Sequence, residues 1–225
     1  MPNTQVRLNK IDKFLKKNND KNIIAIQGLG FVGSVMSLVC ANAINGDYTV
    51  IGVDLPNERG NKIINNLNNG IFPLVAEDPK IEQLYKRALE KGNFFATTDV
   101  NSYSYADVII VDVNLDVDKN SEHSRSLNSY NVDLASFKKA INVIGNHCKE
   151  DVLILVETTV PPGTCKEVVM PIIYDCLMKR KFSLNKIKIG HSYERVMPGP
   201  NYVDSIQNFY RVYSGINEKS ADAVE

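Results

Sequence analysis

The sequence has no tryptophan, four cysteines and no excess of charge of either sign. Its 26 basic side chains balance 26 acidic ones, whereas a dedicated nucleic-acid binder needs a basic surplus to neutralise phosphates. The cysteines are far apart and form no CxxC pair; they are Cys40, Cys148, Cys165 and Cys176. We therefore expect neither a bound metal nor disulfides, and a reducing, cytoplasmic environment.

Charged residues are also absent from residues 22–46, which a hydropathy scan could mistake for a membrane span. The stretch contains several glycines together with Gln27, Ser34, Ser37 and Asn42. A strand, a glycine turn and a buried helix explain this composition better than one lipid-spanning helix. We predict no membrane span.

Residues 1–21 carry six basic side chains and no apolar core segment, so we do not expect them to act as a signal peptide. Leu8, Ile11, Phe14 and Leu15 fall on one face of a short helix. We interpret this segment as a solvated helix docked on the domain. A helix lying on a membrane surface is the alternative.

Six short segments rich in Ile and Val do not alternate with polar residues, as is typical of parallel strands covered on both faces. They are residues 23–27, 49–54, 94–97, 108–113, 152–157 and 187–191. Between them, helical periodicity marks residues 81–89, 134–144 and 169–177. This alternation predicts an α/β fold, a doubly wound, Rossmann-type, mostly parallel sheet with helices on both faces.

The length of 225 residues fits one large domain or one domain with an appendage, since domains contain about 100–200 residues. We assign residues 1–21 to a basic helical extension, 22–216 to the Rossmann-type domain and 217–225 to the start of a truncated linking helix. The polar segment 114–131 directly follows a strand. It is interpreted either as a surface loop or as a lid over a site at the strand ends.

A GxGxxG pattern follows the first predicted strand and opens an apolar helix. Gly28 permits the tight turn, Gly30 lets a pyrophosphate approach the backbone, and Gly33 lets helix and strand pack closely. The helix that begins at Phe31 and Val32 offers unpaired N–H groups and a partial positive charge to the phosphates.

The second predicted strand ends in Asp54, at the spacing expected of a carboxylate that binds ribose hydroxyls. The nearest following basic residue is Arg59, so the pattern favours NAD over NADP. A glycine turn that serves packing alone and a methyltransferase that binds adenosylmethionine are the competing interpretations.

Three further segments extend the pattern. Residues 69–77 are Asn-Gly-Ile-Phe-Pro-Leu-Val-Ala-Glu, residues 157–164 are Glu-Thr-Thr-Val-Pro-Pro-Gly-Thr, and residues 191–199 are His-Ser-Tyr-Glu-Arg-Val-Met-Pro-Gly. With the glycine turn, and in this order, the chain resembles the UDP-glucose/GDP-mannose dehydrogenase family of NAD-dependent nucleotide-sugar 6-dehydrogenases. The last segment is more similar to the UDP-N-acetylhexosamine members.

The resemblance implies oxidation of the C6 alcohol of a UDP-sugar to a carboxylate with two NAD, through a cysteine thioester, in a homodimer. It places Val113 against the cofactor, Thr159 near the nicotinamide and the catalytic water, Glu194 on that water, and Glu194 and Arg195 on the substrate. The plain alternatives are a strand-end turn residue for Thr159 and an exposed carboxylate for Glu194. From its position alone, Thr164 is a predicted N-cap.

None of the four cysteines has the context of the family's nucleophile, which lies in a later domain, so we expect the chain alone to be inactive. Tyr193 stands where the family has proline, and residues 113–116 replace its Pro-Thr-Pro turn. Two alternatives stay open. One is a stand-alone NAD-binding module. The other is a different NAD enzyme such as a hydroxyacid dehydrogenase, which would need a catalytic histidine or lysine near the nicotinamide. We interpret His191, the candidate, as a structural hydrogen-bonding residue.

Overall fold

The structure is a computed structural model that describes residues 4–18, 20–115, 132–197 and 199–225, with side chains from Lys10 onward. The interpretation of residues 114–131 as a loop or lid lies almost entirely outside the described residues, as does Pro198.

Seven strands form one sheet in the order β3-β2-β1-β4-β5-β6-β7. They are β1 (Asn22–Gln27), β2 (Tyr48–Val53), β3 (Phe94–Thr97), β4 (Val108–Val111), β5 (Leu153–Val156), β6 (Lys188–His191) and β7 (Ser214–Gly215). All neighbours are parallel except β6 and β7. The predicted doubly wound fold and its six strands are confirmed; β7 has only two residues and leaves no pattern in the sequence.

Eight α-helices surround the described sheet: α1 (Thr4–Lys17), α2 (Phe31–Ala41), α3 (Glu58–Asn68), α4 (Pro79–Lys91), α5 (Ala135–His147), α6 (Met170–Lys179), α7 (Tyr202–Asn208) and α8 (Glu218–Val224). Side chains of α2, α3, α4 and α7 form the core on one face, and those of α5 and α6 form the core on the other. The strands are thus covered on both faces, which explains their continuous apolar runs.

Local sequence signals account for several helix ends. Asp78 accepts a hydrogen bond from the Lys80 N–H at the start of α4, directly before Pro79, and Gly92 ends the helix in the left-handed conformation with φ 63°. These are the favoured residue types at the two ends of a helix.

The predicted N-cap role of Thr164 is wrong. A π-helical turn, Cys165–Val169, leads into α6, and Thr164 already has helical dihedral angles. Its hydroxyl donates to the Pro161 carbonyl at 2.6 Å. A capping residue must be extended so that its oxygen can accept from the first turn, and Thr164 is inside that turn.

Helix α1 docks on the domain through its apolar face. Ile11 is buried, and the Phe14 ring lies 5.4 Å from that of Phe95. The Asn18 side chain donates to the carbonyls of Phe14 and Gly92. Of the apolar side chains that a membrane-surface helix would insert, Ile11, Phe14 and Leu15 are thus already in contact with the protein.

Helix α8 packs on the antiparallel edge of the sheet. The Ser220 hydroxyl accepts from the N–H of Ile189 in β6, and Val224 lies against Gly190.

The division of the chain at residues 21 and 216 stays a prediction. Across the described ranges, the structure has no helix that combines the length and the hydropathy needed to cross a bilayer.

Candidate functional site

The strand order reverses between β1 and β4, and the crevice beyond their carboxyl ends is where open α/β sheets bind ligands. The glycine turn lies at this point. Gly28 has φ 95°, and a Cβ there would lie 2.4 Å from the Asp112 carbonyl oxygen. A Cβ on Gly33 would lie 1.9 Å from the Gly28 carbonyl oxygen. Both positions therefore require glycine to bring β1, β4 and α2 together.

Gly30 differs from the other two glycines of the turn. Outside its chain neighbours, no heavy atom of the described structure lies within 4 Å of the position that its Cβ would take. Gly30 is the residue before α2, and its carbonyl accepts from the Ser34 N–H. The fold therefore leaves open space directly in front of a helix N-terminus, where a pyrophosphate fits.

The Asp54 carboxylate lies next to the same turn. It accepts hydrogen bonds from the Leu29 N–H at 2.9 Å and the Leu55 N–H at 2.6 Å. Asp54 is half-buried. The structure thus brings the predicted ribose-binding acid against the predicted pyrophosphate loop.

Phe31 and Val32 begin α2, as predicted. The Phe31 ring is 40% exposed and stacks on Tyr202 of α7, with centroids 4.8 Å apart. The Tyr202 hydroxyl donates to the Phe31 carbonyl at 2.7 Å. This contact fixes the first turn of α2 at the mouth of the crevice.

Thr158 and Thr159 follow β5 but differ in their surroundings. Thr158 is buried; its hydroxyl oxygen accepts from the Val113 N–H at 2.8 Å and lies 3.0 Å from the Val113 carbonyl oxygen. Thr159 is exposed. Thr158 therefore holds the ends of β4 and β5 together and leaves the Thr159 side chain accessible, a division of roles that sequence analysis missed.

Glu194 and Arg195 lie in the segment after β6. The Glu194 N–H donates to the Glu157 carbonyl, and its carboxylate accepts from the Val196 N–H at 2.7 Å. The exposed Arg195 donates to the Tyr210 carbonyl at 3.1 Å. Both predicted site residues therefore lie near the end of β5, on a segment held by backbone hydrogen bonds.

A cluster absent from the sequence predictions lies at the same strand ends. We name it the strand-end acidic cluster: Asp112, Glu157, Glu194 and Arg211. Since Val111 pairs with Val156 in the parallel register, Asp112 and Glu157 are the next residues on adjacent strands. Glu157 is 1% exposed, and its Oε1 lies 2.6 Å from Nη1 of Arg211.

The charges in this cluster do not balance. Asp112 Oδ2, Glu157 Oε2 and Arg211 Nη2 are buried without a hydrogen-bond partner among the described residues. Burial, with the negative charges of Glu157 and Glu194, raises the pKa of Asp112 to about 8 against the opposing effect of Arg211. Burial also raises the pKa of Glu157 to about 7, although Arg211 opposes it.

A sequence signal for the two strand-end acids was available. Asp112 and Glu157 each directly follow an apolar strand, as Asp54 does. Arg211 had no such signal, because it reaches Glu157 only through the antiparallel return toward β7.

The four cysteines lie in structural positions within the described chain. All are free, and burial raises the pKa of each thiol, to about 12 for Cys40 and about 11 for Cys148 and Cys165. Cys165 lines a cleft of about 710 Å³ between the Pro-Pro-Gly turn and the β6–β7 edge. A thiol with a raised pKa is a poor nucleophile near neutral pH.

The position of His191 agrees with its interpretation as a structural hydrogen-bonding residue. Its Nε2 lies 3.3 Å from the Thr158 carbonyl oxygen. Within the described ranges, no group of three or more His, Cys, Asp and Glu residues is arranged to hold a metal ion.

The sheet order, the open glycine turn and the acid at the end of β2 define a dinucleotide-binding Rossmann domain. The model for the NAD binding domain of the UDP-glucose/GDP-mannose dehydrogenase family matches residues 22–225. The chain belongs to this family and corresponds to its NAD-binding domain, so its cofactor is NAD.

Two curated relatives are UDP-N-acetyl-D-mannosamine dehydrogenases. That of Methanococcus maripaludis is 32% identical over 91% of this chain and 41% of its own length. That of Methanocaldococcus jannaschii is 33% identical over 92% of this chain and 42% of its own length. The chain therefore spans less than half the length of these relatives.

Solved structures agree on the fold. NDP-N-acetyl-D-galactosaminuronic acid dehydrogenase from Methanosarcina mazei superposes with a TM-score of 0.79 at 25% identity, over 96% of this chain and 43% of the other. GDP-mannose dehydrogenase from Pseudomonas aeruginosa superposes with a TM-score of 0.73 at 26% identity, over 90% of this chain and 43% of the other.

Proposed function

We propose that this chain is the cofactor-binding part of a nucleotide-sugar 6-dehydrogenase that oxidises the C6 alcohol of a UDP-N-acetylhexosamine to the uronic acid with two NAD. The observation that carries the proposal is the continuous family match over residues 22–225. The names of the relatives, which act on UDP-N-acetyl-D-mannosamine, support the class of sugar.

The described residues fit NAD at the crevice. The space in front of Gly30 takes the pyrophosphate, with Gly28 and Gly33 shaping the turn and Phe31 and Val32 opening the helix behind it. The half-buried Asp54 carboxylate accepts from the adenosine ribose hydroxyls.

The other half of the dinucleotide extends toward the ends of β4 and β5, where Val113 and the accessible Thr159 line its path. The bound cofactor supplies the hydride acceptor. The hydroxyl of Thr159 and the carboxylate of Glu194 hold and orient the water that hydrolysis needs, and Arg195 binds the anionic substrate.

The cysteine nucleophile comes from the portion of the relatives that this chain does not span. Burial raises the pKa of all four thiols present here, which disfavours the thiolate that attacks an aldehyde. We further propose that the whole enzyme is a cytoplasmic homodimer without nucleic-acid partners.

The test is a pair of measurements on the chain as given. NADH fluorescence titration should show saturable binding. A mixture with NAD and UDP-N-acetylmannosamine should show no NAD reduction at 340 nm until the missing half is present. Absence of saturable NADH binding would overturn the proposal, and turnover by the chain alone would overturn the requirement for the missing half.

A stand-alone NAD-binding module without redox chemistry is the second candidate. The raised pKa of all four thiols in this chain favours it, because none of them is a ready nucleophile. The two candidates separate when the gene's product is purified from its source: a two-domain polypeptide that reduces NAD with the UDP-sugar excludes the module.

A further inference from the structure

The two halves of the cofactor meet different charges in this crevice. The adenosine half lies toward Asp54 at the end of β2. The nicotinamide half extends to the opposite side of the strand-order reversal, toward the ends of β4 and β5. Those ends carry the strand-end acidic cluster, in which three carboxyl groups face one guanidinium.

The nicotinamide ring carries one positive charge in NAD+ and none in NADH. A carboxyl group that can ionise beside the ring therefore interacts differently with the two redox states. Asp112 is suited to this, because it is half-buried at the crevice while its Oδ2 is buried and unpartnered among the described residues. Since Arg211 is already paired with Glu157 at 2.6 Å, the described part of the chain leaves the charge of Asp112 without a counter-ion of its own.

We propose that the strand-end acidic cluster makes this domain select NAD+ over NADH, by releasing the proton of Asp112 when the positively charged ring binds. The inference rests on the proposed function for the location of the nicotinamide half. The domain with protonated Asp112 and NAD+ give the domain with ionised Asp112, bound NAD+ and one free proton. NADH, whose ring is neutral, binds without releasing that proton.

The groups that face Asp112 set the direction of the pH dependence. Glu157 after β5 and Glu194 after β6 disfavour its ionisation, and Arg211 before β7 favours it. Tyr202 from α7 lies within electrostatic reach of Asp112 and Glu194. Without ligand, burial and the two carboxylates keep the pKa of Asp112 at about 8. A bound positive ring lowers that pKa, so affinity for NAD+ rises with pH up to about 8 and then levels off.

The experiment measures dissociation constants of NAD+, NADH and ADP-ribose for the chain by calorimetry. Between about pH 6 and pH 8.5, we expect affinity for NAD+ to rise about tenfold, the effect of a shift of one pKa unit. Affinities for NADH and for ADP-ribose, which lacks the nicotinamide, should change little. At neutral pH, repeating the NAD+ titration in buffers of different ionisation enthalpy should reveal net proton release.

Asp112→Asn should keep ADP-ribose binding and remove both the pH slope and the proton release for NAD+. The matched control is Asp175→Asn, which removes an exposed carboxylate paired with Lys179 on α6 and should leave the slope unchanged. The comparison of NAD+ with NADH on the unmodified chain tests the proposal even if Asp112→Asn does not fold.

The outcomes separate the two proposals. If ADP-ribose and both dinucleotides bind but NAD+ and NADH respond equally to pH, the cluster does not select the redox state and this inference fails alone. A slope for NAD+ that persists in Asp112→Asn also overturns it. If none of the three ligands binds, the proposed function fails with it.

Discussion

Arg211 Nη1 lies 2.6 Å from Glu157 Oε1, and this ion pair joins the end of β5 to the chain that leads into β7. The Glu157 side chain is 2% exposed and that of Arg211 is 26% exposed. The Glu157 backbone carbonyl also accepts from the Glu194 N–H. One buried acid therefore fixes two segments that surround the crevice.

At pH 8, where Glu157 is mostly ionised because its pKa is about 7, Arg211→Ala should lower the free energy of unfolding by about 3 kcal/mol, because it leaves the buried carboxylate without its counter-ion. Urea denaturation measures this change. The control is Lys179→Ala, which removes the exposed partner of Asp175 and should leave the free energy of unfolding almost unchanged, because solvent screens an exposed ion pair. Equal losses of stability in the two variants would mean that the buried ion pair stabilises the fold no more than the exposed one does.

Gly30→Val and Gly33→Val should separate ligand binding from folding. A side chain at Gly30 enters open space, whereas one at Gly33 meets the Gly28 carbonyl oxygen at 1.9 Å. We expect Gly30→Val to fold normally and lose at least about tenfold in NADH affinity, or about 1.4 kcal/mol. Gly33→Val should unfold at lower temperature in a melting experiment. NADH binding by folded Gly30→Val at the original affinity would refute the assigned pyrophosphate position.

Thr158→Val and Thr159→Val should differ in stability. The Thr158 hydroxyl accepts from the Val113 N–H, so its loss leaves a partly buried donor unpaired and costs about 1–3 kcal/mol. Thr159 is exposed, so its substitution should leave the free energy of unfolding within about 0.5 kcal/mol. Denaturant titrations of both variants measure the difference, and a larger cost at Thr159 contradicts the arrangement described here.

Stability should fall as pH rises through the neutral range. The pKa values of Asp112 and Glu157, about 8 and about 7, are above their unfolded values. The folded state therefore binds more protons than the unfolded state between about pH 4 and pH 8, and raising the pH removes that stabilisation. Thermal melts across this range should show a declining Tm, and Asp112→Asn should flatten the decline. A Tm that rises over the same range would show that neither acid is held protonated.

The predictable parts of this protein were those with local or periodic signals. The six apolar strands, the helices between them and the glycine turn follow from residue spacing, because burial on both faces of a sheet demands continuous apolar runs. Gly28, Gly33 and Asp54 lie where their motif places them. The two glycines allow close backbone contacts in the turn, and the Asp54 carboxylate accepts from a backbone N–H of that turn.

The errors and omissions came from one irregular helix start and from contacts between distant segments. Thr164 has the composition of an N-cap, but the π-helical turn after Pro-Pro-Gly places it inside the helix. The two-residue β7 exists only because the chain returns antiparallel to β6. The role of Thr158 was missed, because its hydroxyl accepts from the backbone that follows the neighbouring strand β4.

The sequence by itself determined the doubly wound fold, the cofactor class and the family, because each follows from short local patterns and their order along the chain. Only the tertiary structure decided that Asp112, Glu157, Glu194 and Arg211 share one site with a single positive charge. Their separation in sequence hides the cluster, and burial beside one another changes their pKa values. Electrostatic coupling depends on distance and solvent exclusion, which strand order creates and residue identity alone does not.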